Sequence, residues 1–130
     1  MILQTTLSLA AAATIINVWL VVRISRMRLS LKVMHGHGDN PQLLQRMRAQ
    51  ANFIEHTPLF LILVAAIELT GKGQSWLAIV GSLFMLARLA HAFGMDRDTP
   101  NPLRAGGIAV TLLAELGLAI VAVLIALGRM

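Results

Sequence analysis

Residues Ile2 to Val22 run for 21 positions without a charge. A helix of that length is about 31 Å long, enough to cross a hydrocarbon core of about 30 Å. This run constrains the fold more than any other feature. Inside a bilayer every backbone N–H and C=O must be satisfied within the protein, which leaves helices or closed barrels. A signal peptide would carry its basic residues before the apolar run. Here they follow it, at Arg23, Arg26 and Arg28. The run is therefore read as a first span, continuing to about Lys32, because nothing breaks it before the stretch HGHGDNP.

Three further spans are predicted. The second covers about 42–70, with Asn40 able to cap it, Pro41 suited to its first turn and Gly71 just past its end. The third covers about 75–94, with Ser75 as its expected N-cap. The fourth covers about 102–128 and repeats the start signal as Asn101-Pro102. Composition agrees: 57% of the 130 residues are hydrophobic and 13% are charged, against about 25% charged in an ordinary soluble domain. The expected fold is all-α, a single integral membrane four-helix bundle over 1–130.

The net charge is +5. In so oily a chain this points to loop orientation rather than to nucleic acid. Nine of the eleven Lys and Arg residues flank the first and third connections: Arg23, Arg26, Arg28, Lys32, Arg46, Arg48, Arg88, Arg97 and Arg104. Lys72 and Arg129 lie on the other side. Basic residues accumulate on the cytoplasmic side, so the charged loops are expected there and both termini away from it. Trp76 and Trp19 are read as interface residues at opposite ends.

Several polar groups fall inside these spans. A charge at the bilayer centre costs about 2.5–3.5 kcal/mol on insertion scales, so such groups usually face a bundle interior or a wet cavity. In the second span Arg48, Asn52 and Glu55 are spaced i, i+4, i+7, which places them in one stripe on one helix face. Gln50 is off that stripe. Glu68 is also off it, near the outer end, and is read as solvated. The plain reading is an Arg48–Glu55 pairing that holds helices together. The sharper one is a cleft for an anionic or zwitterionic ligand, since an arginine fork binds carboxylates and a carboxylate or amide binds N–H groups.

Arg88, His91 and Met95 share a face of the third span. Glu115 lies eleven residues beyond Arg104, about 16 Å deeper, so each needs a partner on another helix or subunit. Gly106-Gly107 thins the fourth helix and permits close approach. Pro58, inside the second span, leaves the Ile54 carbonyl without its usual partner. His35 and His37 have no third ligand nearby, and no metal is expected. The chain has no cysteine and no tyrosine. Any thiol chemistry needs a thiol brought by a ligand, and no phenol is available to assist it.

The stretch RMRAQANFIEHTPLFLIL (46–63), with its pattern R-x-x-x-N-x-x-E before an apolar run containing proline, resembles the signature of the MAPEG family. These are the membrane-associated proteins of eicosanoid and glutathione metabolism. ARLAHAFG (87–94), followed by a short loop and Arg104, supports the resemblance, which covers nearly the whole chain. The chain looks like a bacterial-type member similar to the microsomal glutathione transferases.

That resemblance implies a homotrimer of four-helix subunits, here in a bacterial inner membrane, with glutathione as co-substrate between subunits near the cytoplasmic face. It implies a transferase or peroxidase acting on lipophilic small molecules that arrive from the lipid bilayer. By analogy Arg48, Asn52 and Glu55 hold the glutathione backbone, with Gln50 nearby. His56 takes a place often held by tyrosine, and His91 one held by histidine or tyrosine. Arg28 matches a basic residue that contacts a glutathione carboxylate, and Arg104 the catalytic arginine that stabilises the thiolate. Met95 stands where several members carry tyrosine, and Ala105 where a prostaglandin-forming member carries serine, which turns the reading away from eicosanoid synthesis.

Two rival classes remain. A non-catalytic scaffold or lipid-binding protein would keep the polar stripe for helix packing alone. A small multidrug transporter would carry a glutamate in its first span, and here that span has no acid.

Overall fold

The computed structural model describes residues 1–130 and contains four helices and no strands. They are α1 (Gln4–Leu31), α2 (Pro41–Leu69), α3 (Ser75–Met95) and α4 (Pro102–Ala126). Each is long and apolar enough to cross a membrane. The chain is an all-α four-helix membrane bundle.

The local signals explain most of the helix ends. Asn40 Oδ1 accepts from the Leu43 N–H at 2.9 Å, and Asn101 Oδ1 from the Arg104 N–H at 3.0 Å. Both caps precede a proline at the first helical position, where a missing N–H costs nothing. Gly71 sits beyond the end of α2 with φ +77°, a conformation that favours glycine. Ser75 behaves differently from expectation. It is the first residue of α3, the N-cap is Gln74, and no side chain caps that end. Helix α2 runs unbroken through Pro58.

Helices α2 and α3 form the middle of the bundle. Both contact α1 and α4, while α1 and α4 do not touch. Buried Leu9, Ala13, Ile16 and Leu20 follow one face of α1, and Ala49, Phe53, Phe60, Val64 and Ile67 one face of α2. Their spacing of three and four is the helical period. Phe60 stacks on Phe84 of α3 with ring centroids 3.8 Å apart. Outside this core Ile15, Leu59, Ile62, Leu86, Leu113 and Ile120 are all exposed. That is the expected surface of a protein whose solvent is lipid.

Glu68 corrects the sequence reading. It is buried, not solvated. Its carboxylate accepts from the Thr5 and Thr6 amides at 2.7 and 2.8 Å and from the Thr6 hydroxyl at 2.6 Å. Helix α1 has no side-chain cap of its own, and its first N–H groups would otherwise be orphans. The end of α2 thus caps the start of α1 with an anion, on which the helix dipole also acts favourably. Glu68→Ala is expected to destabilise the protein by about 1–2 kcal/mol. Amide hydrogen exchange at Thr5 and Thr6 should accelerate with it. Unchanged protection at those two amides would show that the cap contributes nothing.

The connections 32–40 and 96–101 lie at the opposite end. Arg23 of α1 pairs with Asp96 at the end of α3, and its guanidinium lies 4.8 Å from the Trp19 ring centroid. Trp19 also packs against Phe93. Gln45 Nε2 donates to Asp98 at 2.6 Å. These contacts tie α1 and α2 to the end of α3 and to the 96–101 connection that leads into α4.

Candidate functional site

The polar stripe of α2 divides when the helix packs. From Phe53, in the buried face, helical periodicity places Asn52 about 100° round, Arg48 about 140° and Glu55 about 160°. Asn52 and His56 therefore sit on the shoulder that meets α3 and α4. Arg48 and Glu55 point away from the core, and both are exposed. Gln50 lies on the other shoulder, where its Nε2 donates to Asn17 Oδ1 of α1 at 3.2 Å. The only ion pairs are Arg23–Asp96 and His56–Glu115. The Arg48–Glu55 pairing of the plain reading is thus absent within the chain.

Arg88 of α3 is the hub of the inward set. It is 2% exposed. One terminal nitrogen donates to Asn52 Oδ1 of α2, and the other to Thr111 Oγ1 of α4 at 3.0 Å. The Thr111 hydroxyl in turn donates to the Gly107 carbonyl at 2.7 Å. His91 Nδ1 lies 3.4 Å from the same guanidinium. A buried arginine is tolerable only with partners of this kind. In the sequence Arg88 counts among the basic residues near the charged end and shares a face with His91 and Met95. Its central position follows from helix rotation, which no local signal encodes.

Glu115 finds the partner that its depth requires. His56 Nδ1 stands 3.0 Å from Glu115 Oε2. Helices α2 and α4 start at the same end, at Pro41 and Pro102, and these residues lie about 22 and 20 Å along them. Equal depth was the sequence signal that could have paired them. Glu115 Oε1 is buried without a protein partner.

Arg104 is exposed in the first turn of α4, and its side chain bonds to nothing within the chain. Its backbone is placed tightly. Asn101 Nδ2 donates to the Gly94 and Thr99 carbonyls at 2.9 and 3.0 Å while Oδ1 caps Arg104. Gly94 packs directly on Arg104, since a Cβ there would stand 2.3 Å from the Arg104 nitrogen. The α3–α4 hairpin is thus closed by a glycine and an asparagine, and it projects Arg104 from a fixed backbone. Arg28 lies apart from this arrangement. It donates to the Gly36 carbonyl at 2.6 Å and contacts the Met47 sulfur at 3.6 Å, and so braces the 32–40 connection.

The candidate site residues therefore form two groups. Asn52, His91 and Thr111 gather round Arg88, and His56 pairs with Glu115, all between α2, α3 and α4. Arg48, Glu55 and Arg104 present charges on outward faces. Gln50 and Arg28 are bound to their own neighbours. An outward cation and anion two turns apart on one helix can hold a zwitterionic ligand, and a separate arginine near the membrane surface can stabilise an anion.

A model of the MAPEG family matches residues 6–124. Among curated proteins the chain is similar to inner membrane protein YecN of Escherichia coli K12, at 28% identity over 72 residues, which are 55% of this chain and 54% of that protein. The same protein of Escherichia coli O6:H1 matches to the same extent. The chain spans about half the length of the curated relatives it matches. The family match is broader, running from the first turn of α1 to the last turns of α4 and taking in both polar groups. This chain belongs to the MAPEG family of membrane proteins.

Proposed function

We propose that this protein binds glutathione on the outward face of α2 and acts as a glutathione transferase or peroxidase on lipophilic electrophiles. One observation carries the reading: Arg48, Glu55 and Arg104 are exposed on membrane helices with no partner in their own chain. An unpaired charge within a span costs up to about 2.5–3.5 kcal/mol at the bilayer centre and less near the surface, where a long side chain such as that of Arg104 can snorkel. Charges so placed call for a neighbouring subunit, a charged ligand, or both. A homotrimer with glutathione between subunits supplies both. Family membership supports this, because the family includes glutathione transferases.

In this reading Arg48, Asn52 and Glu55 hold the tripeptide, and Arg104 faces its sulfur. A nearby cation lowers a thiol's pKa. The thiol proton leaves to water, and the thiolate attacks the electrophilic carbon of a substrate dissolved in the bilayer, either expelling an anionic leaving group such as a halide or adding to an activated double bond whose carbanion then takes a proton from water. The chain has no cysteine, so the sulfur is the ligand's. The location is the bacterial inner membrane, as the name of the YecN relative indicates for that protein. The 32–40 and 96–101 connections face the cytoplasm, where glutathione is available.

Titration of the purified protein in detergent with millimolar glutathione tests the reading. The expected result is saturable heat with one site per subunit interface and a particle mass of three chains. Absence of binding at saturating glutathione would reject it in favour of a scaffold that uses the charges for assembly alone.

A further inference from the structure

Arg88 fixes which end of the Asn52 amide a ligand can meet. A guanidinium carries N–H donors and no acceptor. The Asn52 amide oxygen therefore has to face Arg88, as it does. The alternative flip would set an NH2 group against a buried cation. Amide orientation is commonly ambiguous and is assigned from its hydrogen-bond network. Here a donor-only partner resolves it.

Arg88 itself cannot turn away. It is 2% exposed, and its other terminal nitrogen is held by Thr111, which is fully buried and bonded to the Gly107 carbonyl. Helices α3 and α4 thus clamp the guanidinium, and the guanidinium clamps the amide on α2. Asn52 Nδ2 makes no hydrogen bond within the protein, and it is not among the buried polar atoms that lack a partner. It remains accessible on the shoulder of α2, beside outward-facing Arg48.

We propose that Arg88 sets the polarity of the α2 recognition face, so that Asn52 meets its ligand only as an N–H donor and selects an acceptor, a carboxylate or a peptide carbonyl. In the sequence the amide could have served as donor or acceptor. With its oxygen taken, Arg48 and Asn52 are both donors, and Glu55 is the one acceptor of the stripe. Two donors one helical turn apart suit an anionic or carbonyl oxygen, and the ligand's N–H groups are left to Glu55. Arg88 acts as a positioning residue, reaching the ligand only through Asn52. The inference rests on the reading that the α2 face binds glutathione.

Asn52→Asp separates recognition from packing. The aspartate keeps an oxygen for Arg88, so the bundle should hold its melting temperature, but it replaces the donor with an acceptor. Glutathione affinity is expected to fall roughly tenfold or more, the scale of a lost hydrogen bond and a buried unmatched acceptor. Arg88→Lys, which still offers an N–H to the Asn52 oxygen, should keep more affinity than Arg88→Met, which frees the amide to flip.

A second measurement needs no variant. In amide NMR spectra of the protein in micelles, the Asn52 side-chain NH2 signals should shift when glutathione is added. If wild-type protein binds glutathione and Asn52→Asp binds it equally, or if the Asn52 NH2 signals stay fixed while Arg48 and Glu55 respond, the inference is overturned. If wild-type protein binds no glutathione, the parent reading fails instead.

Discussion

Replacing Arg104 with alanine is expected to abolish glutathione conjugation while leaving the bundle folded. The loss should be about 10²–10³-fold in turnover, the range seen when one preorganised electrostatic donor is removed from an active site. The Arg104 side chain is exposed and bonds to nothing in its own chain. Its removal therefore costs little stability, within about 0.5 kcal/mol for a surface position of this kind. In the proposed site, what disappears is the cation assigned to the glutathione sulfur. The ultraviolet absorbance of bound thiolate should vanish in Arg104→Ala, while glutathione binding through Arg48, Asn52 and Glu55 is reduced far less than turnover. Arg104→Lys keeps the charge but loses the planar fork, so partial turnover is expected. Unchanged turnover with a generic electrophile in Arg104→Ala would refute the assigned role.

The second large effect is structural and falls on two adjacent glycines. Gly107→Ala should destabilise the protein by roughly 1–3 kcal/mol, as overpacking of a well-packed contact does. A Cβ at Gly107 would stand 2.7 Å from the Ala87 carbonyl oxygen and 2.8 Å from the His91 nitrogen. Both are backbone atoms of α3, one turn apart, and neither can swing aside as a side chain could. The added carbon has to push α4 away from α3 where Thr111 meets Arg88. Loss of the Arg88–Thr111 contact should accompany the loss of stability. Gly106→Ala is the internal control. Nothing lies within 4 Å of a Cβ there, and alanine gains on glycine in helix propensity by about 1 kcal/mol at most. Thermal unfolding of the two variants in the same detergent should move their midpoints in opposite directions, Gly107→Ala down and Gly106→Ala level or up. Equal shifts would remove the close α3–α4 approach as the explanation.

The Gly106-Gly107 pair marks where sequence reasoning stops. It indicates that α4 can approach something closely, but both glycines make the same local statement. Only the rotation of α4 about its axis turns Gly107 onto α3 and Gly106 outward. The same holds for Glu68. As a lone acid near a helix end it is indistinguishable from a solvated residue. Its burial depends on the start of α1, more than sixty residues away, arriving beside it. Glu115 was partly legible, since its depth demanded a partner. His56 at matching depth on α2 could have been proposed from helical rise alone.

By itself the sequence determined the four spans, the Asn-Pro starts of α2 and α4, the basic character of one end, and the spacing that puts Arg48, Asn52 and Glu55 in one stripe. These are local quantities, set by apolar length, capping chemistry and the 3.6-residue period, and they survive any arrangement of the helices. The tertiary structure decided what each stripe residue faces. Periodicity fixes the angle between two side chains on one helix but not how that helix is turned toward its neighbours. That turn is set by burying Ala49, Phe53, Phe60, Val64 and Ile67. The result carries Asn52 onto Arg88 and leaves Arg48 and Glu55 facing outward. A single polar stripe becomes an inner network and an outer pair of charges, because only its edge lies close enough to α3 to reach the buried guanidinium.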